Sequence, residues 1–279
     1  PSGQGFAYSL KMDCTTADAS PSAGDQVVVE QKVEGQNLQY LNFGNSSAKS
    51  LTLSFWVRSN KTGTYCASLF NNDQSKWFSK QYTISSADTW EKKTLTYAGD
   101  TSNAFNNDNG TSLRCRFWLG AGSTYTSGTI TSTWTTESGN EGSLASGQVN
   151  LADSTSNEWY VTGVQLEAGT TASDFEFLPH DVNLQRCLRY YHKVDDYTLG
   201  LVLNASDGYS CFYQSPVGMR GDIALESGGS YSVNSGSAGT PAIRTGAFQG
   251  QERVNLYNSS ANWTTNALIE FSGAFSSEL

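Results

Sequence analysis

Acid–base chemistry needs groups that exchange protons near neutral pH, and this chain offers few: two histidines, His180 and His192, and a run of carboxylates, Glu158, Glu167, Asp174 and Glu176. No GxSxG elbow accompanies the histidines, so both are expected to serve packing or surface roles. Paired carboxylates would suit glycoside hydrolysis, which needs the two groups within roughly 10 Å. Glu158 and Glu167 stand at opposite ends of one strand-like run, NEWYVTGVQLEAG, which at about 3.3 Å per residue separates them by about 30 Å. Asp174 and Glu176 flank Phe175 and read as a solvated edge leaving the sandwich. The chain contains no GxxxxGK, GxGxxG or HExxH, so no cofactor and no catalytic metal is expected. The FNNDNG turn at 105–110 carries oxygen ligands but lacks EF-hand spacing, and reads as an Asn/Asp turn. No enzymatic activity is expected.

Binding chemistry is better represented. Trp56 and Arg58 fall on the polar face of LTLSFWVRS, and Trp118 shares a face with Arg114 and Arg116 in SLRCRFWLG. Outward aromatics beside planar donors can stack on sugar rings while hydrogen-bonding hydroxyls. Trp, Tyr and Arg are also the residues that interfaces favour, so a neighbouring subunit or domain could cover the same faces. Tyr231 in GGSYSVNSGSAG and Trp263 in NSSANWTTNA add two aromatics in small-residue surroundings, where Ser, Asn and Gly supply adaptable hydrogen bonding.

The elements that must position these residues are strands. Alternation is clearest at 51–59, where Leu51, Leu53, Phe55 and Val57 share one face, and it recurs at 25–33, 64–70, 76–84, 90–99, 112–120 and 157–169. Gly, Asn, Asp and Ser clusters separate the runs. Tyr160, Val164 and Leu166 are read as one face of the last strand. From Tyr125 to Asn157 a Ser/Thr/Gly-rich stretch, with Trp134 and Leu144 as its few core candidates, reads as a long loop or arm decorating the sandwich, of a length that also suits contact with a partner or neighbouring subunit. A junction follows near Pro179, where Leu184–Lys193 suits either a short helix or a strand. A second series of short strands runs to the end. The predicted architecture is all-β: a jelly-roll β-sandwich over 1–180 and a smaller C-terminal β-sandwich over 181–279.

Composition agrees with that class. Only 15% of the 279 residues are charged, which disfavours amphipathic helices. A net charge of -9 leaves no positive field for a nucleic-acid backbone. The five cysteines are odd in number and widely spaced, so neither a zinc site nor a disulfide framework is expected, and Cys115 reads as a small buried residue. Neither a signal peptide nor a membrane-spanning run is recognisable, and the chain reads as the later part of a longer polypeptide.

The strands LTLSFWVRS, the TW of SADTWEKKTLTYAGD, LRCRFWLGAG and EWYVTGVQLE resemble, in order and spacing, those of jelly-roll carbohydrate-binding modules. Those modules often carry an aspartate pair in the closing strand, sometimes near a structural calcium, where this chain has Thr162 and Gly163. More narrowly, TGVQLEAGTTASDFEFLP, CLRYYHK and SPVGMRG, in that order, resemble virion structural and tail-fibre proteins of tailed, particularly marine short-tailed, bacteriophages. That resemblance implies a virion component, a homotrimer meeting other virion proteins, that presents surfaces to a host polysaccharide or receptor. Trp56, Arg58, Arg114, Arg116, Trp118, Tyr231 and Trp263 are then the candidate ligand contacts. The alternatives are a capsid or tail component without ligand, or a polysaccharide-degrading virion enzyme.

Overall fold

The computed structural model describes residues 1–139, 141–194 and 220, together with strand segments at 200–201, 209–214, 224–225, 230–233, 242–244, 253–257 and 268–276. Contacts divide the chain into two compact units, Pro1–Glu176 and Phe177–Glu278.

In the first unit every major alternating run is a strand. These are β1 (Leu10–Asp13), β2 (Gln26–Glu34), β3 (Leu51–Ser59), β4 (Gly63–Asn71), β5 (Lys76–Ile84), β6 (Glu91–Tyr97), β7 (Thr111–Ala121), a short β8 (Thr135–Thr136) and β9 (Glu158–Ala168). They form two antiparallel sheets, ordered β1-β9-β3-β6 and β2-β7-β4-β5-β8. Apart from the accessory β8, consecutive strands alternate between the sheets except at β4–β5, which form a hairpin, and this is the strand order of a double-sheet jelly roll.

Alternation decides what lies between the sheets. Leu51, Leu53, Phe55 and Val57 of β3 are almost completely buried, facing Leu113, Cys115, Phe117 and Leu119 of β7 in one core cluster. Phe55 stands edge-on to Phe117 at 4.9 Å and to Tyr82 at 5.1 Å, each such pair contributing about 0.5–1.5 kcal/mol beyond burial. Cys66 and Cys115 are buried free thiols, both pushed up to about 12 by desolvation. Cys14 and Cys187 are also unpaired.

β9 departs from simple alternation. Ser54 pairs with Gln165 and Trp56 with Thr162, so three steps on β9 match two on β3. The extra residue is accommodated at Gly163, whose φ of 58° is the left-handed region open to glycine. Its missing side chain leaves room for Phe6, because a Cβ there would lie 2.5 Å from the end of the Phe6 ring. The bulge corrects the single-face reading of Tyr160, Val164 and Leu166. Tyr160 points outward opposite Arg58, Val164 is exposed, and Leu166 packs against the core.

The arm after β7 is the second departure. It opens with a short helix, α1 (Ser123–Thr126), and folds back over the outer face of the five-stranded sheet. Ser79 Oγ donates to Leu144 O at 2.5 Å, Trp77 Nε1 to Ser143 Oγ at 3.2 Å and Gln81 Nε2 to Ser146 O at 2.8 Å. Trp134 enters the main core, edge-on to Phe43 at 5.5 Å, and donates its indole N–H to Ala98 O at 2.7 Å. The Ser/Thr/Gly-rich stretch is an arm laid on the sandwich. These bonds close on its own sheet, because the small residues allow the backbone to approach and bond the strands beneath.

The second unit begins with a helix, α2 (His180–Leu188), followed by β10 (Tyr191–Val194), so the ambiguous Leu184–Lys193 run is helix first and strand after. The strands β11 (Gly200–Leu201), β12 (Tyr209–Gln214), β13 (Ala224–Leu225), β14 (Ser230–Val233), β15 (Ala242–Arg244), β16 (Arg253–Tyr257) and β17 (Leu268–Ser276) complete it. One antiparallel sheet is built on β17: Ile269 pairs with both Gly200 and Val233, and Ser276 with both Tyr191 and Ala224, so β17 has partners on both edges. The other is β12-β16-β15.

Candidate functional site

The sandwich has two outer faces, and the sequence-predicted aromatics fall one on each. On the four-stranded sheet, Trp56 is partly exposed between Lys92 of β6 and Thr162 of β9. One step along, Arg58 pairs across the sheet with Tyr160 and Lys11 pairs with Tyr160 from the other side, so β1, β9 and β3 place all three in one row. The Arg58 guanidinium lies 5.2 Å from the Tyr160 ring centroid and bonds Asp88 at 2.9 Å. The Lys11 ammonium lies 5.7 Å from the same ring and bonds Glu158 at 2.8 Å. Trp90 meets Tyr160 at 6.3 Å and 65°.

The electrostatics of this row are mutually consistent. The Lys11 ammonium, and then the Tyr160 hydroxyl that donates to it, hold the Glu158 carboxyl below the usual range. Glu158 in turn raises both Lys11 and Tyr160. Every cation of the row therefore has a carboxylate beside it, and Glu158 is committed to holding the row together. The arrangement can stack and hydrogen-bond a neutral polyhydroxy ligand on partly exposed aromatics.

The far end of this face is covered. Ser173 donates through its N–H and Oγ to Glu167, Glu176 donates its N–H to Gln165 Oε1 at 2.8 Å, and Thr52 Oγ1 donates to Gly169 O. Phe6 and Phe175 meet edge-on at 4.9 Å. The open part of the face is thus the Trp56–Trp90–Tyr160 end.

On the five-stranded sheet the outcome differs. Trp118 shares its face with Arg114 and Arg116 as its alternation requires, but it is completely buried. It lies in a second core with Trp77, Leu144 and Ala145, stacks at a tilt on Tyr125 at 5.3 Å, and donates its N–H to Ser68 Oγ at 2.8 Å. Trp118 is therefore corrected from outward ligand contact to core residue. The arm supplies the apolar cover that neither a ligand nor another subunit needs to provide. Arg116 bonds Glu30 through Nε, and Arg114 lies over Phe70 at 4.1 Å.

Tyr231 sits in β14 opposite Phe271. Trp263 lies outside the described residues. In the FNNDNG loop, Asp108 Oδ1 accepts the Gly110 N–H, while the Asp108 and Gly110 carbonyls accept from Gln36 and Gly35. Among the described residues no cluster of three or more His, Cys, Asp or Glu is placed to hold a metal ion. His180 opens α2, and burial lowers the pKa of His192 in β10.

Lys11, Asp88, Trp90 and Tyr160 were not among the sequence-predicted contacts. The mid-strand glycine of YVTGV was the available signal for Tyr160, since such a glycine marks a bulge that exchanges faces. Lys11 and Asp88 reach the row only through sheet pairing and loop placement, which no local pattern records.

The fold defines the chain as an all-β protein whose first unit is a jelly-roll sandwich. No protein-family model matches it, and no curated protein matches it at a significant level. No helix among the described residues is long and apolar enough to cross a membrane.

Proposed function

We propose that the amino-terminal sandwich is a non-catalytic binding module that takes a sugar unit of a surface polysaccharide on the outer face of its four-stranded sheet. The observation that carries this reading is one face on which the partly exposed Trp90–Tyr160 pair and, two residues before Arg58 on β3, the partly exposed Trp56 stand with the hydrogen-bonding side chains of Arg58, Lys11 and Glu158. Because the charges of the row are paired, binding is expected to change little with ionic strength. The resemblance of TGVQLEAGTTASDFEFLP, CLRYYHK and SPVGMRG to phage virion proteins supports placing the module in a tail fibre or similar appendage, as a homotrimer contacting other virion proteins and the host surface. Three copies of one shallow site would gain avidity by linkage.

A glycan array and host-cell binding assay on the recombinant protein test this, with Trp56→Ala and Tyr160→Ala in parallel. Binding by the parent and a loss of at least tenfold in Trp56→Ala are expected. A folded parent that binds neither glycans nor cells leaves the ligand-free structural component as the surviving reading.

A further inference from the structure

Arg114 differs from the ion-paired cations of the sandwich in lacking a hydrogen-bond acceptor among the described residues. Lys11, Arg58, Lys61 and Lys93 each have a carboxylate oxygen within 2.9 Å, and Arg116 bonds Glu30. Among the described residues, the Arg114 guanidinium, with five N–H donors, makes no hydrogen bond. Its Nε is buried without an acceptor. Its nearest carboxylate oxygen, Glu30 Oε2, is 3.9 Å from Nη1, beyond hydrogen-bond reach, and that oxygen is already taken by Arg116 Nε. This occurs in a chain with 26 acidic residues against 17 basic ones, where acceptors are abundant.

The position is also preorganised. β7 places Arg114 on the outer face of the five-stranded sheet, directly opposite Lys32 of β2 and Phe70 of β4. The guanidinium carbon lies 4.1 Å from the Phe70 ring centroid in cation–π contact, while Arg116 projects from the same strand face. Burial, followed by the charge of Arg116, lowers the Arg114 pKa against the opposing pull of Glu30 and Glu137, as befits a partly desolvated cation short of an anion.

We propose that Arg114, flanked by Arg116 and Lys32, is the anchor of a binding site for an oxyanion, a carboxylate or sulfate group that accepts from the guanidinium fork. A planar fork beside an aromatic ring matches such a group in two parallel N–H···O bonds, which a lysine cannot reproduce. This site is on the opposite sheet from Trp56 and does not depend on the sugar-stacking reading.

The test is a ¹H–¹⁵N titration of the arginine Nε–H signals of the intact protein at constant ionic strength, with Arg114 assigned by its loss in Arg114→Lys. Sodium acetate and sodium sulfate form one arm, an oligogalacturonate the second, and sodium chloride the control. The Arg114 signal is expected to shift saturably with the oxyanions and not with chloride. Glu30→Gln, which removes the competing carboxylate while keeping Arg114, is expected to tighten binding at least threefold. Trp56→Ala is expected to leave the titration unchanged. An oligogalacturonate at least tenfold tighter than acetate assigns the group to an acidic glycan; equal affinity assigns a free ion. Linear, non-saturating shifts shared with chloride, or weaker binding in Glu30→Gln, overturn the proposal.

Discussion

The two outer faces of the sandwich start from nearly the same sequence pattern and end in opposite states. On β3 an outward tryptophan stands two residues from an arginine, and on β7 the same spacing recurs as Arg116 and Trp118. Trp56 stays partly exposed beside Arg58, Tyr160 and Trp90, whereas Trp118 is sealed with Trp77 under Leu144 and Ala145. The difference lies in what the chain does after each strand. β3 runs directly into the turn to β4, while β7 is followed by the arm that returns across its own sheet. An outward aromatic is thus a binding residue only if no later segment claims its surface.

That contrast can be broken or sharpened by mutation, beginning with the largest effect. Trp118→Ala should remove about 3–5 kcal/mol of stability, because it empties a fully packed site, with urea denaturation as the measurement. Leu144→Ala, from the covering side, should cost about 2–3 kcal/mol in the same assay and increase acrylamide quenching of the newly wetted indoles. A loss below about 1 kcal/mol for both would mean that the arm does not seal this face.

Next comes the bulge. Gly163→Ala forces a side chain into a left-handed backbone and against Phe6, and should cost about 1–2 kcal/mol. Glycan binding should fall with it, since the bulge aims Tyr160. The smallest effect on stability is expected for Trp56→Ala, within about 0.5–1 kcal/mol of the parent, alongside its large effect on binding. A Trp56→Ala protein as unstable as Trp118→Ala would erase the distinction between the faces.

The buried acids give a pH test of the core. Desolvation raises Cys66 and Cys115 to about 12 and pushes Tyr82 and Tyr97 well above their ordinary value. As pH rises above the unfolded thiol value near 8.5, the unfolded chain loses protons that the folded chain retains, so stability falls from there upward. Denaturation midpoints between pH 7 and 11 should decline progressively. In the folded protein a thiol reagent should label Cys14 and Cys187 ahead of Cys66 and Cys115.

Much of the fold was legible because sheet burial has a period of two. Leu51, Leu53, Phe55 and Val57 declared their face locally, and so did Leu113, Cys115 and Phe117. Half of the candidate site was legible for the same reason, since Trp56 and Arg58 are assigned outward by their own strand. Tyr160 was misassigned because one extra residue at Gly163 exchanges the faces beyond it, and the consequence of that residue depends on pairing with Ser54 and Trp56 of another strand.

By itself, the sequence determined which side chains face into each sheet and which face away wherever a strand runs unbroken, because alternation follows from backbone geometry alone; the bulge at Gly163 is where that stops. The tertiary structure decided which outward faces stay open. Sealing Trp118 under the arm, aiming Tyr160 into the row with Arg58 and Lys11, and leaving Arg114 over Phe70 without an acceptor among the described residues all arise from segments distant in the chain. Burial is a sum over every neighbour in space, and that sum is not written in any local stretch of residues.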